Sequence, residues 1–202
     1  MRALKMKVLM FVACLLIVMF SVNPTFQEVR AAPEVRPSSW AEPIEGRPGL
    51  PNLHKVNERL YRGAQPEDGG FDELKRMGIK TVVNLRTLHS DRSECEKSGL
   101  DYVPISVQAW EAETSEVLEF LELLNDPQRH PVFVHCQHGA DRTGMMVALY
   151  RMVIENWSRE DAIREMTEGG FGFHSIWQNI VNYVQRVDVE ALRRALAQRA
   201  EN

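Results

Sequence analysis

Three cysteines in 202 residues are too few to staple a disulfide scaffold, so an apolar core must hold the fold. Positive charge is not in excess either: 24 Lys plus Arg stand against 28 Asp plus Glu, a formal net of −4. Without a basic surface to displace counterions, broad nucleic-acid binding is excluded. With 12 Gly and 10 Pro the chain is not collagen-like. Long apolar runs are also missing, the longest uncharged one being the thirteen residues from Val8 to Phe20. A transmembrane helix needs about 20. What is present is the 44% hydrophobic and 26% charged content of an ordinary globular protein.

Charge is distributed unevenly. Met1 to Ala31 holds Arg2, Lys5, Lys7 and Arg30 against Glu28, a net of +3, which leaves −7 on the other 171 residues. A basic start followed by an apolar run is the layout of a secretory signal, and small residues at Ala31 and Ala32 allow cleavage after Ala31. The alternative is an uncleaved anchor with Arg2, Lys5 and Lys7 held in the cytoplasm. Residues 1–31 therefore read as a signal peptide or signal anchor. The body is expected outside the cytoplasm, periplasmic or extracellular, either free or attached to the membrane through this segment. Residues 32–51, with Pro33, Pro37, Pro43, Pro48 and Pro51, read as a Pro-rich linker. Residues 52–202 then form one domain, expected to be monomeric.

Within that domain short apolar runs alternate with amphipathic stretches. Arg59–Arg62, Thr81–Arg86, Tyr102–Val107 and Val132–Val134 are strand-like, and Pro104 points to an irregular or edge position. Phe71, Leu74 and Met77 share a helical face stopped by Gly78. Thr114 is placed to cap a helix whose face is Val117, Leu118, Phe120, Leu121 and Leu124. Thr143–Ile154 is apolar nearly all round and so central. Ser158 with Asp161 opens a further helix, and Ile176–Tyr183 and Val187–Gln198 close the chain. Such alternation predicts an α/β fold with a mostly parallel central sheet covered by helices on both faces, and ligands beyond the carboxyl ends of its strands.

The segment Val132-Phe133-Val134-His135-Cys136-Gln137-His138-Gly139-Ala140-Asp141-Arg142-Thr143-Gly144 runs from a buried strand through a tight loop into a buried helix. Loop amides and a helix start concentrate partial positive charge, which suits a tetrahedral oxyanion. Arg142 adds a planar fork for two phosphate oxygens. Cys136 opens the loop, where the same positive field favours its thiolate. Gly139 lets the backbone curl.

His-Cys-x5-Arg-Thr-Gly resembles the signature loop of the cysteine-dependent protein tyrosine and dual-specificity phosphatase superfamily. Leu60-Tyr61-Arg62-Gly63-Ala64-Gln65-Pro66, Asn84-Leu85-Arg86 and Glu168-Gly169-Gly170-Phe171-Gly172-Phe173-His174 look like its small prokaryotic dual-specificity-like branch, over roughly 52–187. The resemblance implies a phosphatase fold, no metal or other cofactor, and a phosphocysteine intermediate. It implies Cys136 as nucleophile and Arg142 as phosphoryl clamp. Thr143 would assist loss of the thiolate, and His135 would orient the loop and favour the ionised sulfur. Gln137, His138, Gly139, Ala140 and Gly144 would complete the phosphate loop, mainly through backbone N–H groups.

The general acid departs from that pattern. Most members place an aspartate about thirty residues before the cysteine, where this chain reads Gln108-Ala109-Trp110-Glu111-Ala112-Glu113. Asp141 matches the loop aspartate of the myotubularin and Sac phosphoinositide phosphatases and is favoured as the acid; Glu111 and Glu113 are the alternatives. Arg62 and Arg86 end strands and are candidates for guiding substrate. His174 and Trp177 are expected to pack behind the loop, and Gln178 is a candidate for holding water. Cys95 is either an incidental thiol or a redox partner of Cys136. The substrate expected is a phosphorylated protein, with phosphotyrosine or dual specificity. The alternatives are an inositol phosphate substrate, a non-catalytic phosphate-binding module, and a sulfurtransferase, which the arginine spacing disfavours.

Overall fold

The computed structural model describes residues 36–108 and 113–200. Six strands, β1 (Glu42–Pro43), β2 (His54–Lys55), β3 (Leu60–Gly63), β4 (Thr81–Asn84), β5 (Asp101–Pro104) and β6 (Val132–His135), form one sheet in the order β1-β2-β3-β6-β4-β5. From β3 to β5 the pairing is parallel, while β1 and β2 extend the β3 edge in antiparallel fashion. The described helices are α1 (Gly70–Arg76), α2 (Arg92–Ser98), α3 (Thr114–Asn125), α4 (Asp141–Val153), α5 (Arg159–Glu168), α6 (Gln178–Arg186) and α7 (Val189–Ala200).

Every residue of β4 and β6 is buried, and since strand side chains alternate between faces, both faces must be covered. Val83, Val132 and Val134 join a core with α3, α4, α5, α6 and α7. Val82 and Phe133 point the other way, into a smaller core with Phe71 and Leu74 of α1 and Cys95 of α2. The mostly parallel sheet with helices on both faces is therefore what folds. The apolar face of α3 is the expected Val117, Leu118, Phe120, Leu121 and Leu124, all buried, each burial worth roughly 1.5–3 kcal/mol. Helix α4 is buried at twelve of its thirteen positions, as its all-round apolarity requires.

Several boundaries differ from the expectation. Helix α3 is capped by Glu113, not Thr114: Glu116 reaches back to accept from the Glu113 N–H at 3.1 Å, completing a capping box. Strands β4 and β5 stop at Asn84 and Pro104, short of Arg86 and Val107. Helix α2 carries one buried apolar residue, Cys95, so no periodicity announced it.

The linker expectation is corrected for Arg36 to Pro51, which belongs to the folded unit. Polar anchors replace apolar periodicity there. Ala41 is fully buried and donates its N–H to Glu165 Oε1 at 2.6 Å. The same carboxylate is gripped by Arg151 at 2.9 and 2.8 Å. Arg36 donates to the carbonyls of Gly169 and Ala41, and Leu50 enters the smaller core. The signal or anchor assigned to residues 1–31 lies outside the described residues. No helix among those described is long and apolar enough to cross a membrane.

His54 in β2 is 7% exposed and packs edge-on against Phe171 with ring centroids 4.7 Å apart. Burial pushes its pKa down to about 4; the Asn52 carbonyl and Glu165 oppose that, and the Arg62 and Arg36 charges add to it. A histidine depressed in the folded state stays neutral where the unfolded chain takes up a proton, so stability present above about 6.5 is lost as pH falls towards 4. The urea midpoint is expected to fall across that interval, and His54→Phe should flatten the decline. An undiminished slope in the variant would assign it to other groups.

Candidate active site

Parallel register brings Gly63, His135 and Asn84 to a common level at the carboxyl ends of β3, β6 and β4. The Cys136–Asp141 turn leaves the sheet there and enters α4. Its carbonyls are engaged from outside by three separated parts of the chain. Gln65 N–H donates to Gln137 O at 3.3 Å, the Asn52 amide to His138 O at 2.9 Å, and Arg62 to Gly139 O at 2.8 Å. Ala140 O accepts from Gly144 N–H at 2.7 Å within α4. With these carbonyls spoken for, the amide N–H groups are the donors left for an anion. Gly139 has φ +69° and lies against the Gly63 backbone, where a Cβ would come within 2.3 Å of Gly63 C. A β carbon on Gly144 would meet Met166 at 3.0 Å, so the start of α4 is packed closely as well.

This settles Arg62 differently from the expectation that it guides substrate. Its side chain is 1% exposed, bonded to the loop, and stacked on Phe171 with the guanidinium 3.6 Å from the ring centroid. Burial lowers its pKa to about 10, opposed by Glu165, so it remains a cation fixed beneath the loop. Arg62 is a positioning residue that no substrate reaches.

Behind the cysteine lies a group that sequence reading missed. Asp91, 2% exposed, accepts from the Gln65 amide at 2.6 Å and the Asn84 amide at 2.5 Å, and stands 3.0 Å from His89 Nε2. His135 Nε2 is 3.2 Å away, at ion-pair distance without the alignment of a hydrogen bond. Burial raises the Asp91 carboxyl pKa, but His135 and Gln65 outweigh it and leave Asp91 below the usual carboxylate range. An anion is thus held behind His135, itself fully buried next to Cys136. The only signal was a cap-type aspartate before α2, and Asp91 is indeed the N-cap residue, with its carboxylate spent on this network instead.

Cys136 is a free thiol, 2% exposed. Thr143 follows in the first turn of α4, fully buried, its hydroxyl without a hydrogen-bond partner among the described residues. Above the loop opens a cleft of about 460 Å³ lined by Arg86, Thr87, Gln137, His138, Asp141, Arg142, His174, Ile176 and Trp177. Arg142 is only part-buried, and one nitrogen makes long bonds to the carbonyls of Leu85 (3.4 Å) and Val107 (3.5 Å). Arg86 donates to the Gln65 side-chain oxygen at 2.7 Å; unlike Arg62, it does reach the cleft.

Asp141 is 7% exposed and faces His174: Oδ1 accepts from the His174 backbone N–H at 2.9 Å, and Oδ2 lies 2.9 Å from the ring Nδ1. His174 is exposed and lines the cleft instead of packing behind the loop, whereas Trp177 both lines the cleft and packs against the larger core, as expected. Glu113 is exposed and occupied in the α3 capping box, and it is not among the described residues that line the cleft. Glu111 lies outside the described residues. The Gln178 amide donates to Ser175 O at 2.9 Å. Cys136 belongs to the larger core, whereas Cys95 is buried in the smaller one, where burial drives the Cys95 thiol pKa up to about 12. These facts favour the incidental-thiol reading over a redox pair.

Fold and loop together are those of a protein-tyrosine-phosphatase-type hydrolase. The family model described as DSP-PTPase phosphatase fused to NAD+ kinase matches residues 24–182. Dual specificity protein phosphatase TpbA of Pseudomonas aeruginosa strain UCBPP-PA14 is 34% identical over 176 residues, 87% of this chain and 78% of its own. A crystal structure of P. aeruginosa TpbA in complex with phosphotyrosine superposes with a TM-score of 0.71 at 33% identity, covering 80% of this chain and 98% of that one. Inositol diphosphatase DSP3 of Arabidopsis thaliana is 24% identical over 156 residues, 72% of this chain and 74% of its own. The chain belongs to the DSP-PTPase phosphatase family.

Proposed function

We propose that this protein dephosphorylates phosphotyrosine-containing or doubly specific protein substrates through a phosphocysteine on Cys136. The observation that carries the reading is the loop whose carbonyls are tied outward around a buried thiol, with Arg142 at its far end. In the first step the Cys136 thiolate forms a bond to phosphorus as the bond to the leaving oxygen breaks, and Asp141 gives that oxygen its proton. Loop N–H groups and the Arg142 fork hold the phosphoryl oxygens throughout. In the second step water attacks phosphorus, Asp141 takes its proton, and the sulfur leaves as a thiolate. The buried Thr143 hydroxyl, without a hydrogen-bond partner among the described residues, is available to donate to it.

Asp141 is favoured as the acid because it is the one carboxylate among the described residues that lines the cleft, held in orientation by the His174 N–H. Asp141→Asn is expected to cut kcat by about 10² or more on an alkyl phosphate, and by far less on an activated aryl phosphate, whose leaving oxygen needs no proton. Equal losses on both would move the acid elsewhere, with Glu111 next in line.

An inositol phosphate substrate is the second reading, supported by Arg86, His138 and His174 around an open cleft and by the likeness to DSP3. Hydrolysis of a phosphotyrosine peptide, a phosphoserine peptide and an inositol pyrophosphate, compared by kcat/KM, discriminates the two. Trapping of phosphocysteine after acid quench separates either from a phosphate-binding module. We also propose export of the domain, on the +3 charge and apolar run of residues 1–31; recovery in the cytoplasmic fraction would overturn it.

A further inference from the structure

His138, Asp141 and His174 bring one imidazole, one carboxylate and a second imidazole to the cleft, with ligating atoms all within 4.8 Å of one another. No step of the phosphoryl transfer itself uses either imidazole, although both stand where an inositol phosphate would be met. His174 Nδ1 stands 2.9 and 3.2 Å from the two Asp141 oxygens. With its proton on Nδ1 the ring donates a hydrogen bond to Asp141, and a metal ion is the other charge that can hold the two together. Two ligands bonded at roughly 2.0–2.1 Å to one tetrahedral metal ion stand roughly 3.3 Å apart, so the 3.2 Å contact to Oδ1 matches that bite and the 2.9 Å contact to Oδ2 is shorter than it.

The surroundings fit such a site. Asp141 is 7% exposed, and its Oδ1 is fixed by a backbone N–H that no side-chain exchange at position 174 removes. The His138 backbone is fixed by the Asn52 bond to its carbonyl, while its ring is exposed beside the His174 ring, centroids 5.3 Å apart. Closing the triangle therefore asks only for rotation of two exposed rings. Two imidazoles with one carboxylate select zinc-like transition metals over magnesium or calcium, and three protein ligands leave a fourth position open towards the phosphate loop.

We propose that His138, Asp141 and His174 form a zinc-type divalent metal site whose occupation switches the phosphatase off. The ion takes the carboxylate that would otherwise deliver the proton and covers the approach to Arg142. The inhibitory half rests on the hydrolase reading above; the binding half does not. Activity of the free enzyme is then resistant to chelators, and the loaded enzyme is the inactive form.

The test starts from full-length, metal-stripped Cys136→Ser protein, in which the competing thiolate is gone, titrated with cobalt(II) and then competed with zinc. One equivalent of cobalt should bind with visible ligand-field bands and no sulfur charge-transfer band. In the same background, His138→Gln and His174→Asn should each weaken binding at least about tenfold, with unchanged circular dichroism. On otherwise native protein, stoichiometric zinc should abolish turnover and a chelator restore it, and His138→Gln should raise the inhibitory zinc concentration by the same factor. Loss of binding in Cys136→Ser, or unaltered affinity in both histidine variants, overturns the site. Metal-free protein without turnover would sink the hydrolase reading, while the cobalt titration would still decide the metal site.

Discussion

Cys136→Ser is expected to lower turnover by about 10⁴-fold or more while leaving the melting temperature and the affinity for phosphate-like anions nearly unchanged. The side chain is 2% exposed and sits at the head of the loop, so exchange of sulfur for the smaller oxygen leaves no new buried charge and a negligible cavity. The chemistry is what changes. A serine hydroxyl offers no anion near neutral pH, and Asp141 is committed in that step as the acid for the leaving oxygen. Arg142 and the loop amides are untouched, so binding survives. Rapid-quench and equilibrium binding measurements on one preparation read both halves. Residual turnover within a hundredfold of the native enzyme would show that the sulfur is not the attacking atom.

Gly139→Ala is the second large effect, and it acts through geometry. The new methyl carbon would lie 2.3 Å from Gly63 C, 2.4 Å from Gly63 O and 2.6 Å from Ala64 N, all backbone atoms at the end of β3 that have no rotamer to yield. The backbone angle of +69° adds its own strain. Together these should cost about 2–4 kcal/mol. A loop displaced by even about 1 Å misdirects its donors, and about 10² in kcat/KM goes with it. Gly46→Ala separates the causes: φ is +72° there but no atom lies within 4 Å of the added carbon, so only about 1 kcal/mol should be lost and activity kept. If Gly139→Ala behaves like Gly46→Ala, the close approach to β3 is not what shapes the loop.

How legible the site was depended on how its parts are spaced along the chain. Cys136, Gly139, Arg142 and Thr143 are neighbours in sequence, and their order on a strand-loop-helix unit already specifies an anion cradle. The α3 face was readable because burial imposes a helical period on it. Arg62, Asp91 and His174 obey no period: each is placed by partners distant in sequence, Gly139 O and Phe171 for Arg62, Gln65 and His135 for Asp91, and Asp141 for His174. Arg62 at a strand end read as a candidate for guiding substrate, since only the tertiary fold puts Phe171 over it. The Pro-rich stretch misled for a related reason. Its docking relies on Glu165 and on carbonyl acceptors instead of on apolar rhythm, and proline density says only that the backbone is extended.

The three bonds that hold the loop carbonyls come from residues 77, 86 and 72 positions away in the chain, at Arg62, Asn52 and Gln65. Contacts of that reach close late in folding, because the intervening chain must first surrender its entropy. No fragment that begins after Gln65 can aim the amides, however well its own helices form. Catalytic competence is therefore an all-or-none attribute of the completed chain, and a nascent or partly unravelled molecule carries its thiol as an ordinary cysteine.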